Sequence, residues 1–131
     1  MVQTNTITKH DLIAFEQEIA ELYEQGQIKA PVHLRTGNED QLIEIFKSIT
    51  SVDWVFSTWA SHLHALLKGV PKEVLRQEIL AGRSISINLP EYSMYSSGIV
   101  GGCCPIPTGL LLIHVNSGFN LISSPSSYIL V

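Results

Sequence analysis

The chain is 131 residues long, enough for one domain around one core, with 45% hydrophobic and 15% charged residues and a net charge of -4. No cluster of lysines and arginines is present to neutralise a run of phosphates, which argues against nucleic-acid binding, and the apolar content excludes disorder. Of the 20 charged side chains, 19 lie at or before Arg83, so Glu91 is the one charge among the 48 residues from Ser84 to Val131.

The opening MVQTNTITKHDL has no basic start followed by an apolar stretch, so the expectation is a cytoplasmic protein whose residues 1–8 form a flexible N-terminus. From Asp11 to Gln25, Leu12, Phe15, Ile19 and Leu22 recur at helical spacing, with Glu16, Glu18, Glu21 and Glu24 on the other side. Thr8 can cap this helix and Gly26 can end it. In KAPVHLRTGNED, Pro31 blocks helix and Gly37 permits a turn, which puts His33 on a short extended piece. The next helix is expected to begin near Asn38, paired with Gln41 in a box-like cap, and to bury Leu42, Ile45, Phe46 and Ile49.

Trp54, Val55 and Phe56 read as a short buried strand, followed by a helix that Ser57 or Thr58 can cap and Gly69 can close. A strand that delivers its end into a helix start exposes free N–H groups, a common position for a ligand. Pro71 opens another helix through Val74, Leu75 and Ile79, ended by Gly82. Beyond Arg83, SISINL alternates weakly, EYSMYSS reads as loop, and Pro105 and Pro107 bound the start of a helix near Thr108. The apolar run Leu110 to Ile113 is far short of the ~20 residues of a membrane span, and the final YILV looks like the beginning of a buried strand.

Unaided site chemistry is sparse. His33, His62 and His64 are the residues from which a metal-dependent hydrolase would have to be built, but His62 and His64 are two apart, and on a helix that spacing points them to different faces. Neither a nucleophile elbow nor a phosphate loop is present, since Ser97-Gly98 lacks the preceding glycine and GIVGG lacks the spaced glycines and the lysine. The adjacent Cys103 and Cys104 would form a badly strained disulfide and are expected to be reduced and packed.

Four ordered motifs, HLRTGNED, DWVFSTWASH, LLKG and SGIVGGCCPIPTG, resemble the alpha subunit of thiamine-diphosphate-dependent 2-oxo acid dehydrogenases over roughly Lys9 to Leu110. The resemblance implies an α/β fold, the N-terminal part of a thiamine-diphosphate-binding domain with a parallel sheet and flanking helices, incomplete and with a divergent tail over 111–131. It implies an oxidoreductase acting on the oxo group of a 2-oxo acid, with thiamine diphosphate and Mg²⁺ bound between the alpha-type subunit and a beta-type partner in a hetero- or homo-oligomer. His33 and His62 match family histidines and carry the catalytic expectation. Trp59, Gly98 and Val100 carry the cofactor-binding one, with the glycine turn facing the aminopyrimidine.

Two departures accompany the matches. Ala60 occupies the position of the family's diphosphate-binding arginine, a bidentate cation that a methyl group cannot replace. The family's Mg²⁺-binding Gly-Asp-Gly segment would begin near Tyr128 to Val131, so the metal ligands are not expected in this chain and a truncated gene product is. The alternative function is a non-catalytic interaction protein that pairs with a beta-type subunit through its apolar back.

Overall fold

Thr8 and Asp11 start the first helix by capping each other. The Thr8 hydroxyl accepts from the Asp11 backbone N–H at 3.3 Å, and the Asp11 carboxylate accepts from the Thr8 N–H at 3.0 Å. Amides that helix geometry would leave unpaired are thereby satisfied. The Thr8 hydrogen bonds hold the Asp11 carboxyl at a pKa of about 2, with Lys72 adding a smaller pull in the same direction. In the computed structural model, which describes residues 7–116 and 128–130, this cap opens α1 (Lys9–Glu24). Leu12, Phe15 and Ile19 are buried along it as their spacing requires.

Glu16 departs from expectation. It lies in the buried stripe, 3% exposed, because it is one turn beyond Leu12 and one turn before Ile19. Helix α2 (Glu39–Phe46) starts where expected but without the expected cap: Asn38 makes no capping bond, and the Glu39 carboxylate instead takes the Gly37 N–H at 2.8 Å. Leu42 and Phe46 are buried, Ile49 is half-buried, and Ile45 is 48% exposed. Two turns of helix present too narrow a stripe to bury all of them.

Strand β1 (Trp54–Ser57) leads to α3 (His62–Leu67), which begins later than expected. Ser57 stays in the strand and Ser61 takes the N-cap position without a side-chain bond, so neither Ser57 nor Thr58 is the cap. Helix α4 (Lys72–Leu80) follows Pro71 and buries Leu75 and Ile79. The three glycines expected to end helices, Gly26, Gly69 and Gly82, all have positive φ, a conformation that side chains with a Cβ rarely adopt.

EYSMYSS is not a loop. A single 3-10 turn at Pro90–Tyr92 is followed by Ser93 at φ 53 and then by β3 (Met94–Ser96), which pairs antiparallel with the two-residue β2 (Asn88–Leu89). The serines that made the segment look loop-like are accommodated by bonding: Ser96 is 2% exposed, and its hydroxyl accepts the Ile87 N–H at 2.8 Å. Helix α5 (Pro105–Asn116) begins at the first of its prolines, and Tyr128–Leu130 forms the expected late strand, β4.

The sheet order is β2-β3-β1-β4, with β1 parallel to both β3 and β4. The chain is thus α/β, with a mostly parallel sheet accompanied by helices, as expected, and one antiparallel edge. Val55 and Met94 are register partners and join the residues of α1 to α4 in the main core, while Trp54, Phe56 and Tyr95 form an aromatic row on the other sheet face. Among the described residues, no helix is long and apolar enough to cross a membrane. Because Leu12 is fully buried where α1 meets this core, Leu12→Ala is predicted to lower unfolding stability by about 2 to 5 kcal/mol, read from the urea midpoint at unchanged slope.

Candidate functional site

Parallel pairing brings two turns to one edge of the sheet. The register Ser57↔Ser96 places the ends of β1 and β3 side by side, and the Ser97 N–H donates to the Ser57 carbonyl at 3.2 Å. From there one chain continues into Thr58, Trp59 and Ala60, and the other into Gly98, Ile99 and Val100. The carboxyl ends of parallel strands are the usual ligand edge of an α/β sheet.

His33 joins this edge from a third segment. Its exposed ring meets half-buried Trp59 edge-on, with centroids 6.3 Å apart and planes at 64°. The extended piece carrying His33 is anchored two residues later, where the Arg35 N–H donates to Glu16 Oε2 at 2.9 Å. His33 and Trp59, both singled out in the sequence, are therefore brought together.

His62 is placed elsewhere. It is 2% exposed, with Nδ1 2.8 Å from Glu16 Oε1 and Nε2 2.8 Å from Ser84 Oγ, and the Phe15 ring lies edge-on to it. Where the Glu16 oxygen accepts, Nδ1 carries the hydrogen and Nε2 can accept from the Ser84 hydroxyl. Both ring nitrogens are engaged inside the protein. His64, two residues on, has different neighbours: Nδ1 lies 2.5 Å from Ser57 Oγ and the ring stacks on Phe46. Among the described residues no group of three potential metal-binding side chains converges.

Gly98 and Val100 lie on the second turn. Val100 is 80% exposed and Ile99 74% exposed, so the turn offers apolar surface. Gly98 sits close against Ile85: an added Cβ would lie 3.0 Å from its Cδ1 and 3.3 Å from its carbonyl oxygen. Ala60 is 8% exposed, and the hydroxyl of the neighbouring Ser61 is buried without a partner. No side-chain cation occupies the Ala60 position. Cys103 is buried and Cys104 exposed, both free, and burial raises the Cys103 thiol pKa, with Cys104 adding to the rise.

Reading the sequence missed Glu16, Ser57 and Ser84, the partners of the two buried histidines. A signal for Glu16 existed in its place between Leu12 and Ile19 on the apolar stripe. Ser57 and Ser84 have none, because their partners are set by tertiary packing.

Burial of His64, with the Arg35 charge as a second cause, lowers its pKa from 6.5 to about 4. The folded form therefore resists a proton that the unfolded chain accepts. The stability this imbalance favours is present above about pH 6.5 and is lost as pH falls toward 4. Replacing His64 by Asn, whose amide can still reach Ser57, is predicted to flatten the decline in unfolding free energy across that window, by a slope of up to ~1.4 kcal/mol per pH unit in parallel urea titrations.

Comparison with characterised proteins gives one consistent result, although no protein-family model matches the chain. The pyruvate dehydrogenase E1 component subunit alpha of Porphyra purpurea is 35% identical over 83 residues, 56% of this chain and 24% of its own length. The chloroplastic subunit alpha-3 of Arabidopsis thaliana is 30% identical over 106 residues, 73% of this chain and 25% of its own. The subunit alpha of Rickettsia conorii is 31% identical over 112 residues, 76% of this chain and 34% of its own. The chain spans about a quarter to a third of the length of these relatives. Over that span it is a homologue of pyruvate dehydrogenase E1 alpha subunits.

Proposed function

We propose that the chain forms one wall of an alpha-type dehydrogenase site whose other wall comes from a beta-type subunit, the ancestral reaction being oxidative decarboxylation of a 2-oxo acid. The observation that carries this reading is the His33–Trp59 contact just beyond β1, at the same end of the sheet from which β3 runs into the turn at Gly98 to Val100. Homology to subunits named for pyruvate supports the substrate class. Thiamine diphosphate, when bound, supplies the electron sink for loss of carbon dioxide.

The residues suit one end of that cofactor and not the other. Exposed Ile99 and Val100, with the backbone of the Gly98 turn, offer an apolar shelf for a flat ring, and His33 beside Trp59 can orient and hydrogen-bond a polar substrate. At the diphosphate end a buried methyl at Ala60 offers no charge, and a pyrophosphate needs cations. The chain by itself therefore does not hold the cofactor. A second reading, a non-catalytic pairing protein, is favoured by the 74% and 80% exposure of Ile99 and Val100, apolar side chains suited to burial against a partner.

Co-expression with the beta-type subunit of a pyruvate dehydrogenase E1 component separates the two. Both readings predict co-purification, and a beta-type subunit that elutes alone would sink both. Thiamine diphosphate with Mg²⁺ is predicted to leave the melting temperature of the isolated chain unchanged, and a shift equivalent to ~2 kcal/mol or more would contradict that. A comparable shift in the complex supports the enzymatic reading. A complex indifferent to the cofactor supports the pairing one.

A further inference from the structure

We propose that Glu16 is the positioning residue of the His33–Trp59 corner, setting the distance between the two rings from inside the protein. Each carboxylate oxygen holds one half of the corner. Oε2 takes the Arg35 N–H at 2.9 Å, two residues after His33, and Oε1 meets His62 Nδ1 at 2.8 Å, three residues after Trp59. The far nitrogen of His62 is closed by Ser84 Oγ at 2.8 Å, so the imidazole is fixed at both ends. Two segments that approach the surface separately are thus tied to a single side chain on α1.

Packing alone does not account for a carboxylate here. Glu16 is 3% exposed among Leu12, Phe15 and Ile19, where a leucine would fill the stripe without the cost of desolvating a charge. A leucine could pack equally well but could accept neither the Arg35 amide nor the His62 ring. What the carboxylate adds is the fixed relation between the extended piece and the turn after β1. His62 acts in the same chain of contacts, as the strut between Glu16 and Ser84.

The proposal rests on the His33–Trp59 corner being the functional one, but its test needs neither cofactor nor partner. In a Trp54→Phe background, Trp59 is the sole tryptophan, and His33→Leu defines the change in its emission and near-ultraviolet circular dichroism when the ring contact is lost. Glu16→Ala is expected to reproduce that change while the far-ultraviolet spectrum keeps its shape. Glu16→Gln is expected to retain the parent signal, because its carbonyl can still accept from Arg35 and its amide can donate to His62 once the imidazole switches tautomer. In the unaltered chain the Arg35 amide is expected to exchange with solvent at least tenfold more slowly than those of Leu34 and Thr36. That measurement decides the matter if Glu16→Ala does not fold. An Arg35 amide as fast as its neighbours, a folded Glu16→Ala with the parent Trp59 spectrum, or Glu16→Gln losing as much signal as Glu16→Ala would each overturn the assignment. Absence of a beta-type complex alongside the expected spectra would count against the dehydrogenase reading alone.

Discussion

The meeting of the turns after β1 and β3 at one end of the sheet depends on the two strands running in the same direction. Were they antiparallel, the turn carrying Trp59 and the turn carrying Val100 would leave opposite ends of the sheet, and no shared edge would exist. The register Val55↔Met94 and Ser57↔Ser96 fixes this arrangement within a residue, since a slip by one would turn either Val55 or Met94 out of the core. Parallel pairing requires a long crossover, which α3 and α4 supply. The helices thereby do two jobs, covering the sheet face and returning the chain to the correct edge.

The covered face is less apolar than composition suggests. Glu16, Ser57, His62, His64, Ser84 and Ser96 are all buried in or beside it, and each has a bonded partner. Desolvating these groups costs free energy that an aliphatic core would avoid. In return the bonds are directional, and they fix how the helices meet β1. Lys68 belongs to the same scheme at the other end of α3, its ammonium donating to the carbonyls of Thr50 at 2.7 Å and Ser51 at 2.8 Å. Polar anchors at both ends of α3 hold its position along the strand, whereas apolar contacts alone would tolerate sliding.

Local signals in the sequence located most elements. Helical spacing of Leu12, Phe15 and Ile19, the Thr8 cap, the glycines at 26, 69 and 82 and the apolar Trp54 to Phe56 all rest on interactions within a few residues, which a linear reading can detect. What escaped it depends on distant partners. Met94–Ser96 became a strand because β1 was available to pair with it, and its serines gave the opposite impression. His33 and Trp59 could be identified as a pair of candidates by resemblance, but their contact across the fold could not be read from spacing. His62, expected to act in catalysis, has both nitrogens engaged within the core, through partners that spacing does not reveal. Glu16 was visible in principle, as a charge in an apolar stripe, and was assigned to the wrong face because the other glutamates of its helix lie outside.

The late strand carries a kinetic consequence. Trp54 pairs with Tyr128 and Phe56 with Leu130, so β1 waits for a segment far downstream of it before its second neighbour arrives. Closing so long a loop is entropically unfavourable until the contact is made, and such pairings are slow to form. During synthesis the helices and the β1–β3 pair can assemble first, with one side of β1 bare. The order in which the ribosome delivers the chain thus leaves β1, at the centre of the sheet, as its most vulnerable strand until β4 docks.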